Sequence, residues 1–191
     1  MTAAYACLVA LTLAAVAATS DDPPRSKKPV VAFLPTPRDV VEVMLAAAKV
    51  TKFDVVVDLG CGDGRIVVIA AKVYGCKAVG YDLDRECVTA SRAAVGKAGV
   101  GKLVRIVEAD LLAADLSGVT VVTLFVGTTL NAKLVPRLEK MKAGSRVVSH
   151  VFPIPGVKPD KVLKVTSAED DVERPVYLYT LPLTQEKPGK R

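Results

Sequence analysis

The 191-residue chain has no tryptophan, one histidine and only 5% aromatic residues. Single-stranded nucleic-acid binders combine stacking aromatics with clustered basic groups, and here the aromatics are few and the lysines dispersed, so no nucleic-acid partner is expected. Four cysteines are present, Cys7, Cys61, Cys76 and Cys87, without any C-x-x-C spacing. Cys7 falls in an apolar leader, which leaves an odd three, so neither a disulfide framework nor a zinc site is indicated. No internal repeat is visible, and no segment is left over for a large substrate-binding cap.

With 51% hydrophobic and 24% charged residues, the chain fits one globular domain with an added apolar segment. That segment, residues 1–18, is apolar from residue 3, has the length of a signal-peptide core or a short membrane anchor, and carries a small-residue stretch at Ala15-Val16-Ala17. No Lys or Arg precedes it, whereas Arg25, Lys27 and Lys28 follow, and the positive-inside rule keeps that side in the cytoplasm. The expectation is a membrane-associated protein whose domain faces the cytoplasm; export after signal cleavage is the alternative. Residues 19–36 read as a proline- and charge-rich linker, residues 37–183 as the domain and residues 184–191 as a flexible tail. The net charge of +6 rises to +8 without residues 1–24, whose only charged side chains are Asp21 and Asp22. For a basic domain beside an apolar leader, a membrane surface is the easiest partner to fit.

Short β-branched runs at 55–59, 78–82, 104–107, 119–126 and 146–152 alternate with helical patterns at 65–73, 85–98 and 131–141, with a further helix at 39–50 before the first strand. Such alternation predicts a parallel sheet with helices on both faces.

The richest segment is residues 55–84, VVVDLGCGDGRIVVIAAKVYGCKAVGYDLD. A strand ends in Asp58, glycines follow at Gly60, Gly62 and Gly64, a helix begins, and a second strand ends in Asp82. The glycines admit positive φ and a close approach of ligand to backbone at a helix start. The dinucleotide pattern G-x-G-x-x-G would need glycine at 65, where Arg65 stands. Asp58 beside the turn would repel a pyrophosphate but suits a ligand with an ammonium and a sulfonium, as in S-adenosylmethionine. Asp82 is then placed to accept the ribose hydroxyls.

Asp58-Leu59-Gly60-Cys61-Gly62-Asp63-Gly64 resembles the first motif of class I S-adenosylmethionine-dependent methyltransferases, and Gly80-Tyr81-Asp82 their ribose-binding strand end. Phe33-Leu34-Pro35-Thr36-Pro37, Asp110-Leu111, Asp115-Leu116 and the run from Ser145 to Pro155 extend the resemblance to the small mitochondrial-type protein-lysine N-methyltransferases that act on the adenine nucleotide translocase and the ATP synthase c-subunit. The resemblance implies an α/β Rossmann-like domain. Its seven-stranded, mostly parallel sheet would end in an antiparallel hairpin, here 161–166 with 176–181. It implies S-adenosylmethionine as cofactor, held by Thr36, Asp58, Gly60, Cys61, Gly62, Asp63, Gly64, Asp82, Leu83, Asp110 and Leu111. Asp110 would contact the adenine amino group, unless it serves as a turn cap, and Leu83 and Leu111 would pack on the base. A protein lysine is the implied acceptor; a small molecule or RNA, or nucleotide binding without catalysis, are the alternatives.

Methyl transfer from a sulfonium is an in-line displacement, so alignment supplies most of the acceleration, and a lysine acceptor must first lose a proton. Candidate acceptor-side residues are Thr128, Asn131 and His150. Gly127-Thr128-Thr129-Leu130-Asn131 replaces the proline-rich tetrapeptide of base-directed amino methyltransferases, which argues against DNA adenine. Thr128 or Asn131 is placed to orient an amine, although helix capping at Asn131 is the plainer role. His150 ends a strand facing the site and has a side chain suited to accept a proton, against the plainer reading of a structural histidine.

Overall fold

The computed structural model describes residues 34–186. The apolar leader, most of the linker and residues 187–191 lie outside the described residues. Among those described, no helix is long and apolar enough to cross a membrane.

Helix α1 (Arg38–Ala47) leads into β1 (Val55–Leu59), α2 (Arg65–Tyr74), β2 (Lys77–Asp82), α3 (Arg85–Ala98), β3 (Val104–Glu108), β4 (Val121–Leu124), α4 (Thr128–Leu138), β5 (Arg146–His150), β6 (Lys161–Thr166) and β7 (Glu173–Thr180). The seven strands form one sheet in the order β3-β2-β1-β4-β5-β7-β6. Strands β1 to β5 pair in parallel, and β7 runs antiparallel to both β5 and β6. The strand order reverses between β1 and β4, so the crevice outside their carboxyl ends is where an open α/β sheet binds ligands.

Four of the five residues of β1 and all four of β4 are buried, as expected for central strands covered on both faces. One face packs Val40, Val41, Met44 and Leu45 of α1 and the apolar side of α2 against the sheet. The other packs Leu134 and Leu138 of α4, Ile154 and Tyr179. Each such large apolar side chain contributes about 1.5–3 kcal/mol on burial. Outer strand β6 instead alternates, with Lys161 and Lys164 facing water, charges that discourage pairing with another sheet edge.

The first turn of α1 has no side-chain cap of its own, because Pro37 occupies the N-cap. The β6–β7 turn supplies one: Arg38 N donates to Glu169 Oε1 at 2.7 Å, while Asp39 accepts from Ser167 Oγ at 2.9 Å and Ala168 N at 2.6 Å. This clamp fixes the chain entering the domain beside the end of the sheet.

Two boundaries differ from the sequence expectation in ways that matter for the site. Helix α4 starts at Thr128 rather than Asn131, because Gly127 turns the chain at φ 85 and serves as an N-cap without a side chain. Strand β7 starts at Glu173, three residues early, since pairing with β6 extends it past Pro175.

Candidate functional site

The glycine turn between β1 and α2 holds left-handed φ values of 84, 52 and 77 at Gly60, Gly62 and Gly64. The space a side chain would need is already taken from within the chain. A Cβ on Gly60 would lie 2.7 Å from Val126 Cγ1, and one on Gly64 would lie 2.8 Å from Ser91 Cβ. Room for a ligand is therefore not what those two glycines provide; they let β4 and α3 close against the turn. Gly80 does the same for Cys61, whose Sγ would sit 2.7 Å from an added Cβ.

Asp82 is held by the turn itself. Gly62 N donates to its Oδ2 at 2.8 Å and Asp84 N to its Oδ1 at 2.9 Å. Each oxygen keeps acceptor capacity, so the carboxylate is oriented yet still able to take two hydroxyls. Asp58 is buried and receives one side-chain hydrogen bond, from Thr123 Oγ1 at 2.7 Å. Burial raises its pKa to about 7; the Thr123 bond opposes this, and the negative charges of Asp82 and Asp63 add to it. Burial and the same carboxylates, Asp58 and Asp82, push the Cys61 thiol well above its usual range, so it is packing rather than a nucleophile.

Asp63 is tied to Arg65, with Nη2 to Oδ2 at 2.6 Å and Nε to both oxygens at 3.0 and 3.1 Å. Burial acts to raise the Asp63 pKa, but these bonds outweigh it and hold the carboxyl below its usual range. Arg65 Nη1 also donates to the Thr36 carbonyl at 2.8 Å. The residue that breaks the dinucleotide pattern thus latches the segment before α1 onto the glycine turn.

Thr36 is buried, and its Oγ1 shares a 3.0 Å hydrogen bond with His150 Nδ1. The His150 ring lies 4.4 Å from that of Phe125, centroid to centroid, and Phe152 stacks on Phe125 at 5.7 Å. A cavity of about 280 Å³ opens here, lined by Leu34, Arg65, Phe125, His150, Glu169 and Arg174 among others. His150 Nε2 is buried without a hydrogen-bond partner among the described residues. Burial, assisted by the positive charge of Arg174, pushes the imidazole pKa down to about 4. At neutral pH the ring is uncharged and a poor acceptor for an ammonium proton. The depressed basicity disfavours the general-base role expected of His150 and leaves the ring as a neutral wall of the cavity.

After His150 the chain makes a γ-turn. Phe152 N donates to His150 O at 2.7 Å, with Val151 at φ 63, a conformation that is rare for a β-branched residue. Asn131 holds this turn: its Nδ2 donates to Ser149 Oγ, Phe152 O and Pro153 O at 3.0–3.2 Å. The expected helix cap at Asn131 is therefore corrected, because the residue lies in the fourth position of α4 with its amide nitrogen spent on the turn after β5. Thr128 is exposed on the first turn of α4, and neither it nor Asn131 lines the cavity. Of the three acceptor-side candidates, only His150 reaches it.

Asp110 is exposed and caps the 3-10 turn Leu111–Ala113, accepting from Leu112 N at 2.8 Å. Its second oxygen is free, so capping and ligand contact are compatible. Leu83 and Leu111 are half-buried at the same strand ends, with Leu111 Cδ2 3.9 Å from a Cβ built on Gly60. Sequence reasoning overlooked Phe125, Glu169 and Arg174 as cavity walls and used Arg65 only as a missing glycine. A signal for Arg65 was present, an acidic residue two positions before it.

The donor set fits a cationic nucleoside. Asp63 and Arg65 neutralise each other beside the turn, and Asp58 and Asp82 remain as its carboxylates, which leaves a cradle hostile to pyrophosphate and favourable to an ammonium and a sulfonium.

Comparison with known proteins agrees with this chemistry. Residues 58–161 match the family model of the ANTKMT methyltransferase domain. A protein-lysine N-methyltransferase of Saccharolobus islandicus (strain REY15A) is 44% identical over 155 residues, covering 80% of this chain and 95% of that one. An ATP synthase c-subunit lysine N-methyltransferase of Xenopus laevis is 33% identical over 144 residues; the match takes in 73% of this chain but only 61% of that protein, less than two thirds of its length. Among solved structures, an RNA methyltransferase from Salinibacter ruber in complex with S-adenosyl-L-homocysteine is similar at a TM-score of 0.72 and 40% identity, covering 82% of this chain and 98% of that one.

Proposed function

The chain belongs to the ANTKMT methyltransferase family, and from that premise we propose that it transfers methyl groups from S-adenosylmethionine to the side-chain amine of a protein lysine. What carries the lysine reading is the Saccharolobus relative, whose match spans nearly the whole of that enzyme. The cavity supports it. Among its lining residues Asp170 is paired with Arg174, so Glu169 is the carboxylate left to meet an incoming ammonium, while Phe125 and the neutral His150 form a wall.

Bound in the cradle, the cofactor supplies an electrophilic methyl group on a sulfonium. Asp82, oriented by Gly62 N and Asp84 N, would take the ribose hydroxyls, and Asp58 would offset the positive charge. Asp110, Leu83 and Leu111 border the base. The acceptor amine passes Glu169 to the low-dielectric wall of Phe125 and His150, where desolvation disfavours its charged form and promotes loss of the proton to water. The chain then has only to hold amine and methyl in line, beside a turn that the latch of Arg65 on Thr36 keeps in place.

The Salinibacter structure is named for RNA, which makes RNA the second reading. Incubating the full chain with methyl-labelled S-adenosylmethionine and a total cell extract separates the two. We expect nuclease-resistant, base-stable label on protein, recovered as methyllysine after hydrolysis. Label confined to nuclease-sensitive material would overturn the lysine assignment.

A further inference from the structure

At the end of the sheet opposite the cradle, Phe53 is 83% exposed and Val73 62% exposed. Phe53 lies in the loop between α1 and β1, with Lys52 Nζ 5.1 Å from its ring centroid. A Cβ on Gly75 would lie 3.9 Å from Lys52 Cβ, so the last turn of α2, which carries Lys72 and Val73, adjoins that loop. Lys77 opens β2 opposite Val55, and Ala78 N donating to Leu103 O brings Lys102 alongside. Lys49, Lys52, Lys72, Lys77 and Lys102 are all exposed, and none forms an ion pair among the described residues. Asp54, the carboxylate at this end of β1, is buried and spent on Arg146, Thr120 and Thr51. Glu42 acts on Tyr74 at the margin.

We infer that this patch docks the domain on an anionic lipid bilayer, with Phe53 and Val73 entering the interface and the lysines lying among the headgroups. An exposed aromatic and a valine ringed by lysines without an ion pair among the described residues match such a surface in both polarity and charge. A polynucleotide would satisfy the lysines but not the two apolar side chains. The described chain begins at the other end of the molecule, where Leu34 lines the cavity. Residues 19–33 nevertheless reach about 50 Å when extended, more than the roughly 20 Å of a six-residue strand plus its loops. The apolar run of residues 3–18 and the Phe53 patch can therefore engage the same bilayer.

The absence of tryptophan makes the test direct. Phe53→Trp introduces a single tryptophan into the full chain, excited selectively over the five tyrosines, with Val162→Trp on the far edge of the sheet as the control reporter. With phosphatidylcholine vesicles containing phosphatidylglycerol, the Phe53→Trp emission should shift to the blue, be quenched by brominated lipid and revert at high salt. Pure phosphatidylcholine should leave it unchanged, and the Val162→Trp emission should not move in either. Adding Lys52→Glu and Lys77→Glu to the reporter should weaken its partitioning about tenfold or more, with the melting temperature checked separately. An unshifted Phe53→Trp spectrum, a shift independent of anionic lipid, or an equal shift produced by transfer RNA without vesicles would each overturn the inference.

Discussion

At the carboxyl ends of the parallel strands the chain gathers Asp58, Asp63 and Asp82 around one turn, whereas at the amino ends it exposes Lys49, Lys52, Lys77 and Lys102 with no ion-pair partner among the described residues. Part of this polarity belongs to the fold. Helices α2 and α3 start at the acidic end and finish at the basic one, where Lys72 and Lys97 stand in their last turns and complement the helix dipoles. Dipoles do not account for Lys52, Lys77 or Lys102, which lie in loops or on a strand. Nor do they account for a carboxylate buried as deeply as Asp58. The difference teaches that each end carries a charge excess that stability does not require: at one end a cradle suited to a cation, at the other the surface proposed to meet an anionic bilayer.

Removing the cradle's anchor should have the largest effect. Asp82→Ala takes away an acceptor for two hydroxyls and releases Gly62 N and Asp84 N. At about 1.5–3 kcal/mol for each of two charge-assisted bonds, affinity for S-adenosylmethionine should fall by roughly 10²–10⁴-fold in calorimetry. Unchanged affinity would separate the acidic end from cofactor binding.

Asp58 makes the same end pH-sensitive. Its folded pKa of about 7 lies above the ordinary 3.8, because burial, with Asp82 and Asp63, disfavours the charge. The folded state therefore binds more protons than the unfolded one between these values, and stability falls as pH rises through that window, by up to ~4 kcal/mol at 1.36 kcal/mol per unit. Cofactor binding runs the other way. A cationic ligand prefers the ionised carboxylate, so affinity should rise with pH up to about 7, approaching tenfold per unit, and then level off. Asp58→Asn should flatten both profiles. A wild-type affinity profile that is already flat from pH 5.5 to 7 would show that Asp58 does not face the cation.

Much of the acidic end was legible because its signals are local. Asp58, three glycines and Asp82 lie within 25 residues, and the strand–turn–helix follows from apolar runs and positive-φ glycines. What stayed hidden depends on contacts between distant residues. Glu169 caps α1 across 131 positions, and Arg65 reaches back 29 positions to Thr36. Asn131 reads as a cap because asparagine favours helix starts, but Gly127 starts the helix earlier and frees the amide for the γ-turn. His150 carries no mark of its depressed basicity in sequence, since burial and Arg174 create it in the fold. The basic end was legible only as net charge, because what makes it a patch is Phe53 left outside the core.

The smallest predicted effect compares the two ends through their backbone strain. Val151, beside the cavity, has φ 63, and Lys49, at the lysine-rich end, has φ 51. Lys49 N donates to Ala46 O and Val50 N to Leu45 O, a helix ending that ordinarily takes glycine at this position. Glycine at either site removes left-handed strain worth about 1–2 kcal/mol and gives back part of it as chain entropy. Lys49→Gly and Val151→Gly should thus each stabilise the domain by about 1 kcal/mol or less in denaturant titrations. Their activities should diverge. Lys49→Gly leaves the cavity untouched and should keep kcat/KM for a soluble acceptor, whereas Val151→Gly loosens the turn that sets His150 against Phe125 and should lower kcat several-fold. Equal activities for the two variants would mean that the strained turn is a feature of packing, and that the ends differ in charge alone.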